Sequence, residues 1–546
     1  MRRMLGDSVQ RVWWRARIAG VLSACAIVAA LLLPLASVTA GAEPASPPDG
    51  TPIVAITLVR NNIFDTDTPE TSAWPYRLAN AIHIMSRESF IRQFLLVHVG
   101  DLLDRARLAE TERVLRATGV LSPVFVTVRS APGGAEVVVT TTEEWTLQVG
   151  GSAGKVGNRN HASFAIVEEN LFGTGRKLKF EIGNDGERSQ TRLKISDPLL
   201  FGTRWRASAE HADASDGSTD GLDLNYPFFA LATPRAGGGA WRRQSSEVYL
   251  YSLGEQAVAG RVHRRELRIW GGLRLPGSSD RADRLTLGLA SERASFSDWH
   301  WDDGRPFPAP ADRIMQGVEM AWEHQRDRWQ VLSGFRGWAR QEDIPLGPNW
   351  RVASFVSLPA FGADQPRVRT DATVFLARLD GRRYSWLQAA TAGRIEDGRL
   401  NQSITSIEAG VADCAPTAIR IRLAADIGHN LDREGQLTLG ADVGLRGWDP
   451  GTFDGTSRAI GNLEARHRLT HEFLALFVLG GEAFVDIGRT WGARIGPGTD
   501  GWRADAGLGL LVEVTRASTV RLLRAEVAWP DHGGRPLFLI TTSALF

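Results

Sequence analysis

Cysteine is nearly missing from this chain. Two occur in 546 residues, Cys25 and Cys414, which excludes a disulfide framework and a cysteine-rich metal site. An excess of one charge is missing too. Lysine plus arginine (63) balances aspartate plus glutamate (62) to a net charge of +1, so no overall field favours nucleic acid. Mean hydropathy is −0.16. Beyond the first forty residues no apolar run approaches the ~20 residues of a membrane-spanning helix, so a polytopic helical membrane protein is excluded. No H-E-x-x-H motif occurs, and Gly173-Thr174-Gly175-Arg176-Lys177 lacks the letters of a phosphate loop. Asp298-Trp299-His300-Trp301-Asp302-Asp303 reads as a solvated loop with interfacial tryptophans. The chain is read as a non-enzyme, with no catalytic residue, metal ligand or cofactor expected. What it does have is glycine (57 residues) and far more tryptophan (18) than tyrosine (5).

Arg2, Arg3, Arg11, Arg15 and Arg17 precede an apolar stretch at 18–36, and Ala40-Gly41-Ala42 and Glu43 follow. That is the order of a secretory signal, so residues 1–42 are expected to be removed. The stretch is long enough for an anchor, but its exit is an A-x-A-like site. Leu22-Ser23-Ala24-Cys25 has lipoprotein letters, yet the apolar core runs on past Cys25. Removal takes away five arginines and Asp7, and leaves Cys414 as the one thiol. A single thiol avoids mispairing in an oxidising compartment.

Residues 43–51 are rich in Pro, Ser and Gly and read as a linker. Residues 52–144 read as a small α/β domain. A strand at 53–59 is followed by a helix capped by Ser86, with Phe90, Ile91, Phe94 and Leu95 on one face. A second helix, 104–118, carries Leu108, Thr111 and Leu115 and stops at Gly119. Strands at 124–129 and 136–140 are joined by Ala131-Pro132-Gly133-Gly134, a hairpin turn.

From 145 to 546 the chain alternates with period two. Leu178, Phe180 and Ile182 interleave with Lys177, Lys179 and Glu181; Ile419, Ile421 and Leu423 do so with Arg420 and Arg422. One apolar and one charged face, with aromatic residues at segment ends, fit a transmembrane antiparallel β-barrel whose apolar face meets lipid. Residues 213–221 and 297–313 read as long loops. Allowing ~25 residues per strand and connection gives ~16 strands.

Five stretches carry a family resemblance. They are Gly100-Asp101 through Gly119 to Thr140; Glu169-Asn170-Leu171-Phe172-Gly173-Thr174-Gly175; Asp197-Pro198-Leu199-Leu200-Phe201-Gly202; Leu445-Arg446-Gly447-Trp448; and Phe484-Val485-Asp486-Ile487-Gly488. With a leader, one α/β domain and a C-terminal barrel, the chain resembles the BamA/TamA outer-membrane assembly-factor superfamily, the bacterial surface antigen family. The resemblance implies a single POTRA-like periplasmic domain, where the general assembly factor carries several. It implies that Arg446 lies at the tip of a loop folded into the lumen and meets Asp486, with Glu464 as a second partner. It implies that Phe546, a terminal aromatic, is the signal for barrel assembly. The implied location is the outer membrane of a Gram-negative bacterium. The implied function is assembly, insertion or translocation of a client polypeptide, or of lipid, with a periplasmic protein as a further partner. The alternative is a passive or gated pore for small solutes.

Overall fold

The computed structural model describes residues 46–156, 159–184, 188–496, 498, 501–518 and 522–542. The leader 1–42 and Phe546 lie outside the described residues.

Residues 53–143 build a three-stranded sheet with three helices. Strand β1 (Ile53–Asn61) runs parallel to β3 (Gly134–Glu143), which is antiparallel to β2 (Leu121–Ala131), giving the order β1-β3-β2. Helix α1 (Trp74–Ile82) lies between β1 and α2 (Glu88–Phe94), and α3 (Arg105–Arg116) precedes β2. Asp104 caps α3 by accepting the Ala106 and Arg107 N–H groups, which satisfies two donors the first turn leaves open. Phe90, Ile91, Phe94, Leu108 and Leu115 pack on Val137 and Val139. Leu199, from a barrel turn, completes this core. Helix α1 departs from the sequence reading, which placed no helix before Ser86. It has no side-chain cap, and none of its residues is buried.

The rest is a barrel of twenty strands in sequence order, from Leu147–Val156 to Leu537–Thr541, with the last beside the first. Each strand is antiparallel to the next, as in the register of Trp241 opposite Leu267 and Leu267 opposite Ser291. The outward face is apolar. Leu285, Leu287 and Leu289 alternate along one strand and are 39%, 59% and 60% exposed. A sheet closing on itself leaves no lipid-facing edge. Exposed Trp205, Trp241, Trp322, Trp502 and Trp529 stand at strand ends or along the same face.

Twenty strands replace the ~16 expected, and the connections give the reason. Residues 213–221 are not a loop but a tight hairpin between Arg206–Ala214 and Gly217–Tyr226. The strand Arg281–Trp301 continues well into the second expected loop. Gly381-Arg382 and Asp397-Gly398 are two-residue turns.

Candidate functional site

The site is the inside of the barrel, filled from both ends. From the end away from the small domain, residues 430–456 connect strand Thr417–His429 to Ser457–Arg468 and fold inward around a short ladder, Leu437–Leu439 with Phe453–Gly455. Leu439, Leu445 and Phe453, with Val443 and Trp448, make the loop's own core against Ile460. The loop thus presents a rigid tip.

Arg446 is that tip, 2% exposed. Its Nε donates to Asp486 Oδ2 at 2.7 Å and its Nη2 to Oδ1 at 2.9 Å. This bidentate fork fixes direction as well as distance. Nη1 donates to Glu464 Oε1 at 3.1 Å and to Glu526 Oε1 at 2.8 Å. The guanidinium stacks over Phe484, 3.4 Å from the ring centroid. A Cβ on Gly447 would fall 2.5 Å from Asp505 Cβ, and one on Gly488 would fall 2.7 Å from Leu439. Both motif glycines therefore stand where the loop touches the wall. Trp448 packs on Phe453 at 5.0 Å and donates its Nε1–H to Ala504 O at 3.4 Å.

The network extends beyond the residues the motifs name. Arg524 sits 3.2 Å from Glu464 and 3.3 Å from Glu482, and Arg466 lies 2.6 Å from Glu464. Asn462 donates to Gly444 O and to Asp486 Oδ1 at 2.7 and 2.8 Å. These residues alternate on the inward face of Ser457–Arg468, Phe477–Trp491 and Leu522–Pro530. Period-two charge, as in Arg524-Ala525-Glu526, was their only signal.

A second segment enters from the small-domain end. Residues 327–348 join strand Arg313–Arg326 to Asn349–Ser357 and carry the hairpin Trp329–Leu332 with Glu342–Pro345. Phe335 packs on Tyr384 at 5.1 Å and Trp386 at 5.8 Å. Arg420 donates to the Gly334 and Phe335 carbonyls. The Trp338 N–H donates to Glu513 at 2.6 Å, and a Cβ on Gly480 would collide with the Trp338 ring. The same segment holds the small domain. Arg116 of α3 makes a bidentate pair with Asp343 at 2.8 and 2.9 Å, and Arg113 reaches Asp327 at 2.8 Å and covers Trp329.

Strand Thr417–His429 links the two plugs. Arg420 holds the lower segment, while Arg422, next on the same face, donates to Asn462, which holds the upper loop. Across the lumen an open cavity of about 300 Å³ remains, lined by Glu210, Arg242, Glu266, Arg268, Glu319 and Arg369 among others.

Among the solved structures that resemble the chain are the following three. BamA from Haemophilus ducreyi lacking POTRA domains 1–3 is 11% identical, covering 89% of this chain and 83% of that one, at a TM-score of 0.37. CdiB from Acinetobacter baumannii is 9% identical (90% and 73% covered, TM-score 0.43), and CdiB from Escherichia coli 12% (89% and 75%, TM-score 0.43). No family model and no curated protein sequence matches.

Among the described residues no group of three His, Cys, Asp or Glu side chains is placed to hold a metal ion. Gly150-Gly151-Ser152-Ala153-Gly154 has the letters of a G-x-S-x-G elbow, but it lies within strand Leu147–Val156 with another strand after it. The elbow needs a strand-to-helix turn, which this place does not form. The ion pairs and hydrogen bonds of the site clamp two segments inside the barrel and tie one of them to the small domain.

Proposed function

We propose that the chain is an outer-membrane assembly or translocation factor for a polypeptide client. The small domain lies in the periplasm and receives the client; the barrel inserts or passes it, with the seam between last and first strands as the exit. The observation that carries this reading is the double plug tied to α3. A passive pore for solutes has no use for a lumen clamped at Arg446 and at Arg420, nor for a domain fastened to one clamp. The small domain also offers an edge. Beyond Ile53, strand β1 has described ladder bonds only to β3, and Val59 on it is 40% exposed. An extended client adds to such an edge through backbone hydrogen bonds. On β2 the Val124 carbonyl and Val126 N–H are already taken by Arg116 and Glu112 of α3, which directs the client to β1. No covalent chemistry is part of this function.

The test is a photo-crosslinking amino acid at Val59 in the full chain in cells. An adduct with an extended polypeptide is expected from Val59 and none from Val126. No adduct from β1, together with rapid solute flux through liposomes bearing the intact protein, would establish the passive pore instead.

A further inference from the structure

Three arginines stand side by side on the outer wall of the barrel. Arg243 is directly opposite Arg265, and Arg265 directly opposite Arg293, on strands Arg235–Ser252, Glu255–Arg274 and Arg281–Trp301. Side chains two apart on a strand share a face. Two residues toward the small domain that face carries Trp241 and Leu267; two further on come Ile269 and Leu289, all exposed to the lipid side. The arginines therefore point outward, directly above the apolar belt, and all three are exposed.

Like charges directly opposed across strands repel, and the carboxylates on this face, Asp220 and Asp312, are two against the three arginines. Glu266 and Glu292, the adjacent acids, face the lumen, where Glu292 is paired to Arg369 at 2.6 and 2.7 Å. Asp220, opposite Arg243, is engaged by His211 at 2.7 Å. Asp312 accepts the Phe296 N–H at 2.9 Å. With the Gln316 amide turned to suit its neighbours, Arg293 donates to its oxygen at 3.1 Å. A cavity of about 490 Å³ lies among these groups, lined by Arg243, Arg265, Arg293, His263, Ser295 and Ile314. Two successive outward rows line it, which sets it on the outer wall.

The height of the row names the ligand. From Leu285 to Arg293 is eight residues. At ~3.4 Å per residue and a tilt of ~40° that is a rise of ~20 Å, close to the full height of an apolar band. The small domain meets the opposite end of these strands, where Glu110 accepts the Leu231 N–H. The row thus sits at headgroup level in the leaflet facing away from the small domain. We infer that Arg243, Arg265 and Arg293 form a binding site for the phosphate groups of a phosphorylated lipid in that leaflet. Adjacent strands are ~4.8 Å apart, so the three guanidinium groups span ~10 Å. Each offers a planar fork that matches a phosphate bidentately, and the lipid's acyl chains lie along Leu267, Ile269 and Leu289. This assignment rests on the barrel lying in a bilayer, as proposed above.

The experiment uses the purified full-length protein, washed in detergent and loaded with lipid A, which carries two phosphates, or its monophosphorylated form. Retained lipid is read by native mass spectrometry. Arg243→Gln/Arg265→Gln/Arg293→Gln is expected to lose about thirtyfold in lipid A retention, about threefold for each arginine; the triple lysine variant should keep part of it. Monophosphorylated lipid should be held less well than lipid A. Retention by the glutamine variant equal to wild type overturns the site. Displacement of lipid A by millimolar inorganic phosphate would assign it to a free anion and overturn the lipid. Bilayer insertion is read separately, by heat-modifiable gel migration of the reconstituted wild type. If the triple variant does not fold, Arg265→Gln alone is used, with about a threefold loss expected.

Discussion

Arg446 meets three carboxylates, yet the cluster it belongs to is acidic. Arg446, Arg466 and Arg524 share the buried interior with Asp486, Glu464, Glu482, Glu526 and Asp505. Each arginine is therefore holding acids apart from one another as well as pairing with them. Removing Arg446 strands Asp486, whose fork has no other guanidinium, at a cost of ~3–5 kcal/mol for a buried pair. Arg446→Ala is expected to lower the temperature at which the folded barrel loses its fast gel migration, and Asp486→Ala to do the same. The double variant should be little worse than either single, so the coupling should approach the loss of one single variant, ~3–5 kcal/mol; additive losses would show the two do not act together. The letters around Arg446, Asp486 and Glu464 carried a family pattern, so this part of the site was legible in the sequence. Glu526 and Arg524 were not. On a barrel strand an inward charge is the rule, and only the strand order, which brings Leu522–Pro530 within reach of the loop tip, separates a clamp from ordinary lumen wall.

At the scale of elements, α3 is the joint between domain and barrel. Glu110 on α3 accepts the Leu231 N–H at 2.6 Å from a barrel turn. Burial raises its pKa above the ordinary value of 4.5, against the lowering by the Leu231 N–H and Arg113; Asp327 also raises it and Arg284 lowers it. An acid with a raised folded pKa stabilises the docked state below its ordinary pKa and loses that contribution as pH rises through the raised value. Docking of the domain, followed by fluorescence energy transfer between labels on the two parts, should weaken as pH rises above 4.5 through that raised value, and Glu110→Gln should flatten the profile. Residues 52–144 alone should unfold cooperatively, though at lower stability than in the full chain, because Leu199 of the barrel leaves their core. A disordered fragment in circular dichroism would mean the barrel is required for the fold. The domain's strands and two of its helices were legible from periodicity and from Asp104 and Gly119. Helix α1 carried one signal, Trp74, Leu78 and Ile82 at helical spacing, but Ala73 offers no side-chain cap to mark its start. The inward segment 327–348 was not legible, because Trp329–Leu332 and Glu342–Pro345 read like any other short strands until pairing shows them outside the wall.

For the whole molecule, the strand alternation announced a barrel but miscounted it, since periodicity marks faces and not the tight turns between them. Its more consequential silence concerned the lumen. The loop clamped by Arg446 and the segment clamped by Arg420 and Glu513 enter from opposite ends and are held by neighbouring inward residues of one strand, the loop through Arg422 and Asn462, the segment through Arg420. Two obstructions in one channel act as resistances in series. Removing one leaves the other to limit the current, so each single deletion should raise conductance little while both together raise it greatly. The measurement is planar-bilayer conductance of the wild type, a variant with the loop tip 440–449 replaced by a short glycine linker, a variant with 333–341 so replaced, and the double variant. Conductance of the double should exceed the sum of the two single gains several-fold. If replacing 440–449 alone opens the barrel fully, the lower segment does not block the lumen. It would then act only as the fastening for α3 through Asp327 and Asp343, and Asp343→Ala should loosen α3 without changing conductance, the domain staying attached through Glu110 and Leu199.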